Sequence, residues 1–290
     1  MVLSFFNKIF SLSAQKYFHS FILLPIFYSC LYASVGIIHV NGTYNMTEDH
    51  EGTVIFDNSH STLNMNGFTI DATGYSYGIY IGDKTNDTIN GGNGTVENGE
   101  YGIYIDNDQN NGYHKIQQLE VNSAIYYGII NISSNYNLIY QVNVNNCDYT
   151  GIFLYDSEHN TVSGCNIFEN GIYGLSDQLG YLNSFQYLQI YDNEVHGIYI
   201  SADSLYSMLN VNSYSNSSVG LYIAATSYGG LVSSYFNENQ YGVVIDEYSD
   251  NNNFSIGASI CGGRDNTGGY DMYDVGSYNT WSPQTFPNHN

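Results

Sequence analysis

Asp156, Glu158, His159, Asp177, His196 and Asp203 crowd one stretch of this chain. Two carboxylates facing each other across a groove, one with a raised pKa, serve as acid and base on a glycosidic bond. Asp177 with Asp156 and His196 is the trio that offers such chemistry. Acids also recur elsewhere, at Asp83, Asp106, Asp108, Asp246 and Glu247. A Ca²⁺ site needs several oxygens converging on one point, and no EF-hand or RTX-type pattern follows any of these acids. A solvated turn rich in Asp explains them equally, so weak Ca²⁺ binding is the most they suggest, and no dedicated cofactor is expected. The histidines have no helical or hairpin spacing that would ligate a metal.

The charge balance narrows the partners. The chain holds 27 acids against 5 Lys and Arg, and beyond the N-terminal stretch only Lys84, Lys115 and Arg264 remain. A nucleic-acid partner needs a basic footprint, which is missing. An anionic membrane surface is disfavoured on the same ground, and an acidic polysaccharide unless a cation mediates. Neutral glycans, protein surfaces and divalent cations stay open. Against that acidic background stand 31 tyrosines, whose rings can pack on sugar faces while their hydroxyls hydrogen-bond.

The elements that position these residues follow from a glycine repeat. Gly78, Gly102, Gly128, Gly151, Gly174, Gly197, Gly220 and Gly242 are separated by 24, 26, 23, 23, 23, 23 and 22 residues. After each comes an aliphatic residue, from Ile79 to Val243, and two positions later another, such as Ile81, Ile105, Leu154 or Ile200. Alternation of this kind marks a strand whose first and third residues point inward. The residue between them points outward: Tyr80, Tyr104, Phe153, Tyr199 and Tyr222 are the aromatic members, and they form the candidate ligand-binding row. The high β-propensity of tyrosine accounts for the same row without a ligand.

A second aliphatic alternation follows in each repeat, as in Ile139, Val142 and Val144, so no room is left for a helix. A coil of about 23 residues cannot bury a core alone, and stacking on its copies supplies one. The expected fold is all-β, a single-stranded right-handed parallel β-helix of about nine coils, spanning 36–261. A C-terminal tail over 262–290 departs from the repeat and caps the open end. Four residues before the glycine stand Asn98, Ala124, Cys147, Asn170, Asn193 and Asn216, with Asn239 one residue out of step. They predict an asparagine ladder between coils. Asp177 breaks the inward aliphatic pattern, and a carboxylate there is costly unless paired or exposed. It marks either a functional acid or a local bulge that turns it outward.

The run Asn66-Gly67-Phe68-Thr69-Ile70 leading into Tyr77-Gly78-Ile79-Tyr80-Ile81 resembles the opening of right-handed parallel β-helix repeat proteins. These include the NosD-like group, the carbohydrate-binding and sugar-hydrolase β-helix superfamily, and adhesin-like surface proteins. Coils such as Gly151-Ile152-Phe153-Leu154 match the same repeat, and the resemblance covers roughly residues 37 to 260. It implies the fold and leaves activity open, because one scaffold hosts many chemistries. The Asn-Thr-Asp, Asp-Asp, Gly-His-Asp and Arg-Ile-Lys motifs of polygalacturonase-like members are absent. So are the central basic residue of the lyase-like members and the Asp-Pro-His-Glu motif of the epimerase-like ones.

Residues 1–35 are expected to be a signal peptide or an N-terminal anchor. Lys8 and Lys16 precede an apolar stretch from Phe21 to Ala33, which is short for a membrane span of about 20 residues. Membrane contact is expected only if that segment stays uncleaved. The sequons at Asn41, Asn86 and Asn93 are expected glycosylation sites, whereas ladder burial argues against Asn131 and Asn216. The four cysteines make no disulfide framework, and Cys147 and Cys165 are expected as buried thiols. The favoured function is a secreted or cell-surface protein, non-catalytic, binding a polysaccharide or cell-surface glycan through its Tyr/Asn-rich face. The alternatives are a carbohydrate-active enzyme working near Asp177 and a structural stalk.

Overall fold

The computed structural model describes residues 33–107, 112–202, 205–225, 229–250, 252–254, 270–275 and 279–281. The expected leader therefore lies almost wholly outside the described residues, as do Cys30, Asp108, Asp203, Cys261 and Arg264. The first strand, Ala33–Val40, begins within the final residues of that segment.

From there the chain winds into a parallel β-helix of about eight full turns, and no helix interrupts it among the described residues. From Tyr127 to Asn237 each turn lays down three strands, whereas in the two coils before it one long strand, Thr88–Glu97 or Lys115–Asn122, runs through two of the sheets; successive turns pair in parallel. The coil containing Tyr127–Ile132, Leu138–Tyr140 and Asn143–Asn145 is followed by Thr150–Tyr155, Thr161–Ser163 and Asn166–Phe168, joined strand to strand. Three sheets result. The sheet holding the repeat glycines is called here the glycine sheet, and the others the second and third.

The glycine period has a steric cause. Each repeat glycine from Gly78 to Gly220 is buried, and a Cβ placed on it would lie 2.5–2.9 Å from the carbonyl oxygen of the next coil's glycine. Any side chain would push two coils apart, so the position recurs once per turn. Inside the tube, aliphatic side chains stack by register. Ile79, Ile103, Ile129, Ile152, Leu175, Ile198 and Leu221 form one fully buried column; Leu63, Ile89, Ile116, Ile139 and Val162 run down the second sheet, and Ile70, Val96, Val121, Val144 and Ile167 down the third. This burial, at about 25 cal/mol per Å² of apolar surface, drives the winding.

Two ladders of buried polar groups tie the turns together where strands end. In the first, the backbone N–H of Cys147, Asn170, Asn193 and Asn216 donates to the side-chain oxygen of Asn170, Asn193, Asn216 and Asn239 respectively, at 2.9–3.1 Å. This is the asparagine ladder expected from the sequence at Asn170, Asn193, Asn216 and Asn239, with one correction, at Asn98. Asn239 is out of step only with its glycine, because the loop after it is shorter by one residue, and it accepts in register from Asn216. Asn98 does not join the ladder: it sits in a left-handed turn (φ 64°) and donates to Asp71.

The second ladder was not anticipated. Ser61 accepts from the N–H of Gly42, Asp87 from Ser61, and His114 Nδ1 from Asp87. Asn137, Asn160 and Asn183 then accept in turn from His114, Asn137 and Asn160. A buried N–H without an acceptor costs about 1–3 kcal/mol, so each rung is a structural requirement. Cys147 and Cys165 are buried free thiols, and burial pushes their pKa up to about 12 and about 11.

The expected departure of the tail from the repeat is corrected. Tyr270–Asp274 continues the glycine sheet in register on Tyr241–Ile245, and Thr280–Trp281 pairs with Asn253–Phe254. The sequence spacing hides this strand because Tyr241 and its partner Tyr270 stand 29 residues apart, well beyond the 23-residue period.

Candidate functional site

Two rows of side chains face outward from the glycine sheet. One stands two residues after each glycine, the row expected to bind ligand: Tyr80, Tyr104, Phe153, Tyr199 and Tyr222 all lie on it, each half-buried. The other stands just before the glycine and was missed: Tyr77, Tyr101, Tyr127, Tyr173, His196 and Tyr241. Its signal was an aromatic immediately preceding the glycine. Strict alternation from the glycine onward conceals it, because the glycine and the residue after it are both buried. The two outward rows are therefore three residues apart.

The rows touch each other and their neighbours. Ring centroids of Tyr77 and Tyr80 are 5.1 Å apart, those of Tyr101 and Tyr104 5.2 Å, and those of Tyr80 and Tyr104 5.9 Å. Further along, Tyr127 stacks on Phe153 at 5.1 Å, Tyr173 on Tyr199 at 5.0 Å, and Tyr199 on Tyr222 at 5.7 Å. Burial, with Asp106 nearby, pushes the Tyr104 phenol up to about 12, and burial likewise raises Tyr101, Tyr127, Tyr173 and Tyr222. At neutral pH the face therefore presents neutral hydroxyls on aromatic rings, the surface that packs against the C–H face of a sugar.

The ring columns give way to hollows where small or aliphatic residues replace aromatics. Thr150 and Ser176 open a hollow of about 220 Å³ bounded by Tyr127, Phe153, Tyr173 and Gln178. Within it Gln178 Nε2 donates to Ser176 Oγ at 3.1 Å. Val219 and Val244 open a second, of about 320 Å³, walled by His196, Ser218, Tyr222, Tyr241 and Tyr273. The two are three coils apart, about 14 Å at the spacing of stacked strands. On the third sheet a single column, Phe168–Tyr191–Tyr214, stacks at 5.0 and 5.1 Å.

Asp177, Asp156 and His196 are not brought together. Asp177 has no exposed surface, so the bulge that would turn it outward does not form. Its carboxylate points into the tube, and Asn183 Nδ2 donates to both of its oxygens at 3.0 Å. Two coils earlier Asn131 holds the same position and accepts from Asn137 Nδ2 at 3.2 Å. Asp177 thus joins an inward polar clip that anchors the second ladder. Asp156 lies on the outside, exposed, in a left-handed turn with φ 48°, and His196 belongs to the outer aromatic row.

The acids do not converge either. Asp83 and Asp156 share one left-handed turn position, but Asn107 and Ser133 occupy the coils between them. Among the described residues no group of three or more His, Cys, Asp or Glu is placed to hold a metal. Asn41, Asn86 and Asn93 are exposed, whereas Asn131 and Asn216 are 1% and 2% exposed. No helix among the described residues is long and apolar enough to cross a membrane.

Comparison of the fold with solved structures finds the periplasmic alginate epimerase AlgG at TM-score 0.52 and 15% identity, over 84% of this chain and 58% of that one. The A-module of the mannuronan C-5 epimerase AlgE4 from Azotobacter vinelandii is similar at TM-score 0.48 and 13% identity, over 87% of each chain. The chain thus spans less than two thirds of AlgG, and at these identities the likeness is one of fold. No curated protein matches by sequence. Residues 101–260, more than half of the chain, match the family described as the right handed beta helix region. With the parallel turns, the glycine ladder and this match in agreement, the chain belongs to the right-handed β-helix family.

Proposed function

We propose that the protein binds a neutral polysaccharide or cell-surface glycan through the outer aromatic face of the glycine sheet. The observation that carries this reading is the pair of touching ring rows, partly exposed and interrupted at Thr150/Ser176 and Val219/Val244 by hollows with polar groups at hand. In-register stacking brings neighbouring rings into contact whatever their role, so it is the hollows, with their polar groups, that set this face apart from a sheet that merely favours tyrosine. Rings supply apolar area, and a small number of placed polar groups supply orientation, the usual composition of a ligand site. A neutral ligand is favoured because, among the described residues, Lys84 and Lys115 lie in early coils and line neither hollow. The exposed sequons and the N-terminal apolar stretch support a secreted or cell-surface setting.

The test incubates the protein with neutral and acidic polysaccharides, with and without Ca²⁺, scoring retention and released sugar ends together. Retention on a neutral polymer, abolished by replacing Tyr199 and Tyr222 with Ser and unchanged by Tyr191→Ser on the third sheet, is the expected result. Retention that survives the Tyr199/Tyr222 change sinks the reading. A carbohydrate-active enzyme is the second reading, favoured by a fold shared with an alginate epimerase, and released ends would establish it. Its acid would then have to come from the surface, since Asp177 is sealed inside.

A further inference from the structure

The hollow at Val219 and Val244 contains a feature that the rest of the face lacks. His196 is the one imidazole in the two outer rows from Tyr77 to Val244. It is held between Tyr173 and Tyr222, with centroids at 5.4 and 5.3 Å and planes within 5° and 14° of parallel. Its Nδ1 accepts the backbone N–H of Val219, in the next coil, at 3.3 Å. A backbone N–H can only donate, so Nδ1 is the bare nitrogen and the ring proton sits on Nε2. Burial keeps the ring uncharged at neutral pH, its pKa lowered to about 4. No hydrogen bond from Nε2 to another described residue competes for that proton. Around the ring, Val219, Val244 and the Tyr222 ring give the hollow a mostly apolar wall.

We propose that His196 is the specificity-determining donor of this hollow, its Nε2–H fixed by the Val219 backbone and given to an oxygen of a neutral sugar stacked on the apolar wall. This rests on the glycan-binding reading above and adds to it a named donor, a tautomer and a discrimination. An uncharged imidazole gives a carboxylate one hydrogen bond and no counter-charge, and neither Lys84 nor Lys115 lines the hollow, so a uronic acid would surrender its hydration without a cation to replace it. A neutral pyranose loses less and regains a hydrogen bond.

Two measurements test it. In the unsubstituted protein, the imidazole nitrogen shifts of His196 should report the Nε2–H tautomer. They should move on titration with neutral hexasaccharides of glucose, xylose or mannose and stay fixed with oligogalacturonate. His196→Phe keeps the ring stack and removes the donor, and it should weaken binding of the neutral hexasaccharide that binds best by about tenfold, the worth of one neutral hydrogen bond. A Nδ1–H tautomer, or His196→Phe binding as tightly as the parent while Tyr199→Ser/Tyr222→Ser loses binding, overturns the proposal and leaves the glycan face standing. Absence of binding by the parent to every sugar overturns both.

Discussion

Asn193 is the most informative residue to replace. It has no exposed surface and occupies the middle of the first ladder. Its Oδ1 accepts from the backbone N–H and the Nδ2 of Asn170, at 3.1 and 3.0 Å. Its Nδ2 donates to Asn216 Oδ1 at 2.8 Å and Tyr191 O at 3.1 Å. In Asn193→Ala the Asn170 N–H loses its acceptor, and Asn170 Nδ2 retains only a long contact of 3.5 Å to Val144 O. Asn216 Oδ1 keeps the Asn193 backbone N–H. One fully orphaned and one nearly orphaned buried donor, at about 1–3 kcal/mol each, give a loss of about 3–5 kcal/mol once the small cavity is added. Asn193→Asp should be no better, because its second oxygen would face the Tyr191 carbonyl with no proton between them. Repeat arrays can unfold in sections, so the assay pairs urea denaturation with hydrogen exchange of the Asn170 amide. That amide should lose protection by at least a hundredfold. Asn166→Ala, which removes an exposed side-chain bond to Asn143, is the control and should stay within about 0.5 kcal/mol of the parent. An Asn193→Ala protein as stable as this control would refute the ladder's energetic role.

Other outcomes follow from the same geometry. Gly151→Ala places a methyl 2.7 Å from the Gly174 carbonyl oxygen and 2.6 Å from Ile167 Cγ2; overpacking should cost about 1–3 kcal/mol, read as a lower thermal midpoint. Asp177→Asn reproduces the residue found at 131 and should fold with little change. Asp177→Leu takes both acceptor contacts from Asn183 and should lower the urea midpoint, with glycan retention unaffected by either change. Burial holds His114 and His196 to about 4, below the 6.5 of a free histidine. The unfolded chain therefore takes up protons first, and their contribution to stability is full above about pH 6.5 and is lost as pH falls toward 4. Asp87, 3.4 Å from His114 and raised by burial to about 6, takes up its proton first in the folded protein and offsets part of that loss; urea midpoints across the window should still drop, and His114→Asn, matching the Asn found at 137, 160 and 183, should shallow the slope. Cys147 and Cys165, held protonated to about 11–12, should resist thiol reagents at pH 8 until the protein is unfolded.

The glycine period, the inward aliphatic columns and the run of asparagines 170, 193, 216 and 239 were legible in the sequence, because a stacked coil repeats its local constraints at a constant spacing. Hence the fold could be read from residue types alone, and so could one of the two outer rows. The row headed by Tyr77 escaped because two consecutive buried positions at each glycine break simple alternation, which only the packed backbone reveals. The second polar ladder escaped because it changes chemistry from Ser61 to Asp87, His114 and Asn137 while keeping one geometric role: any side-chain acceptor at that place satisfies the neighbouring N–H. Asp177 and His196 make the same point. As letters they are an acid and a base in one stretch of chain. Tertiary structure put one inside the tube on an asparagine and the other outside between tyrosines, since in a β-helix the direction of a side chain, set by its place in the strand register, separates residues that proximity along the chain would join.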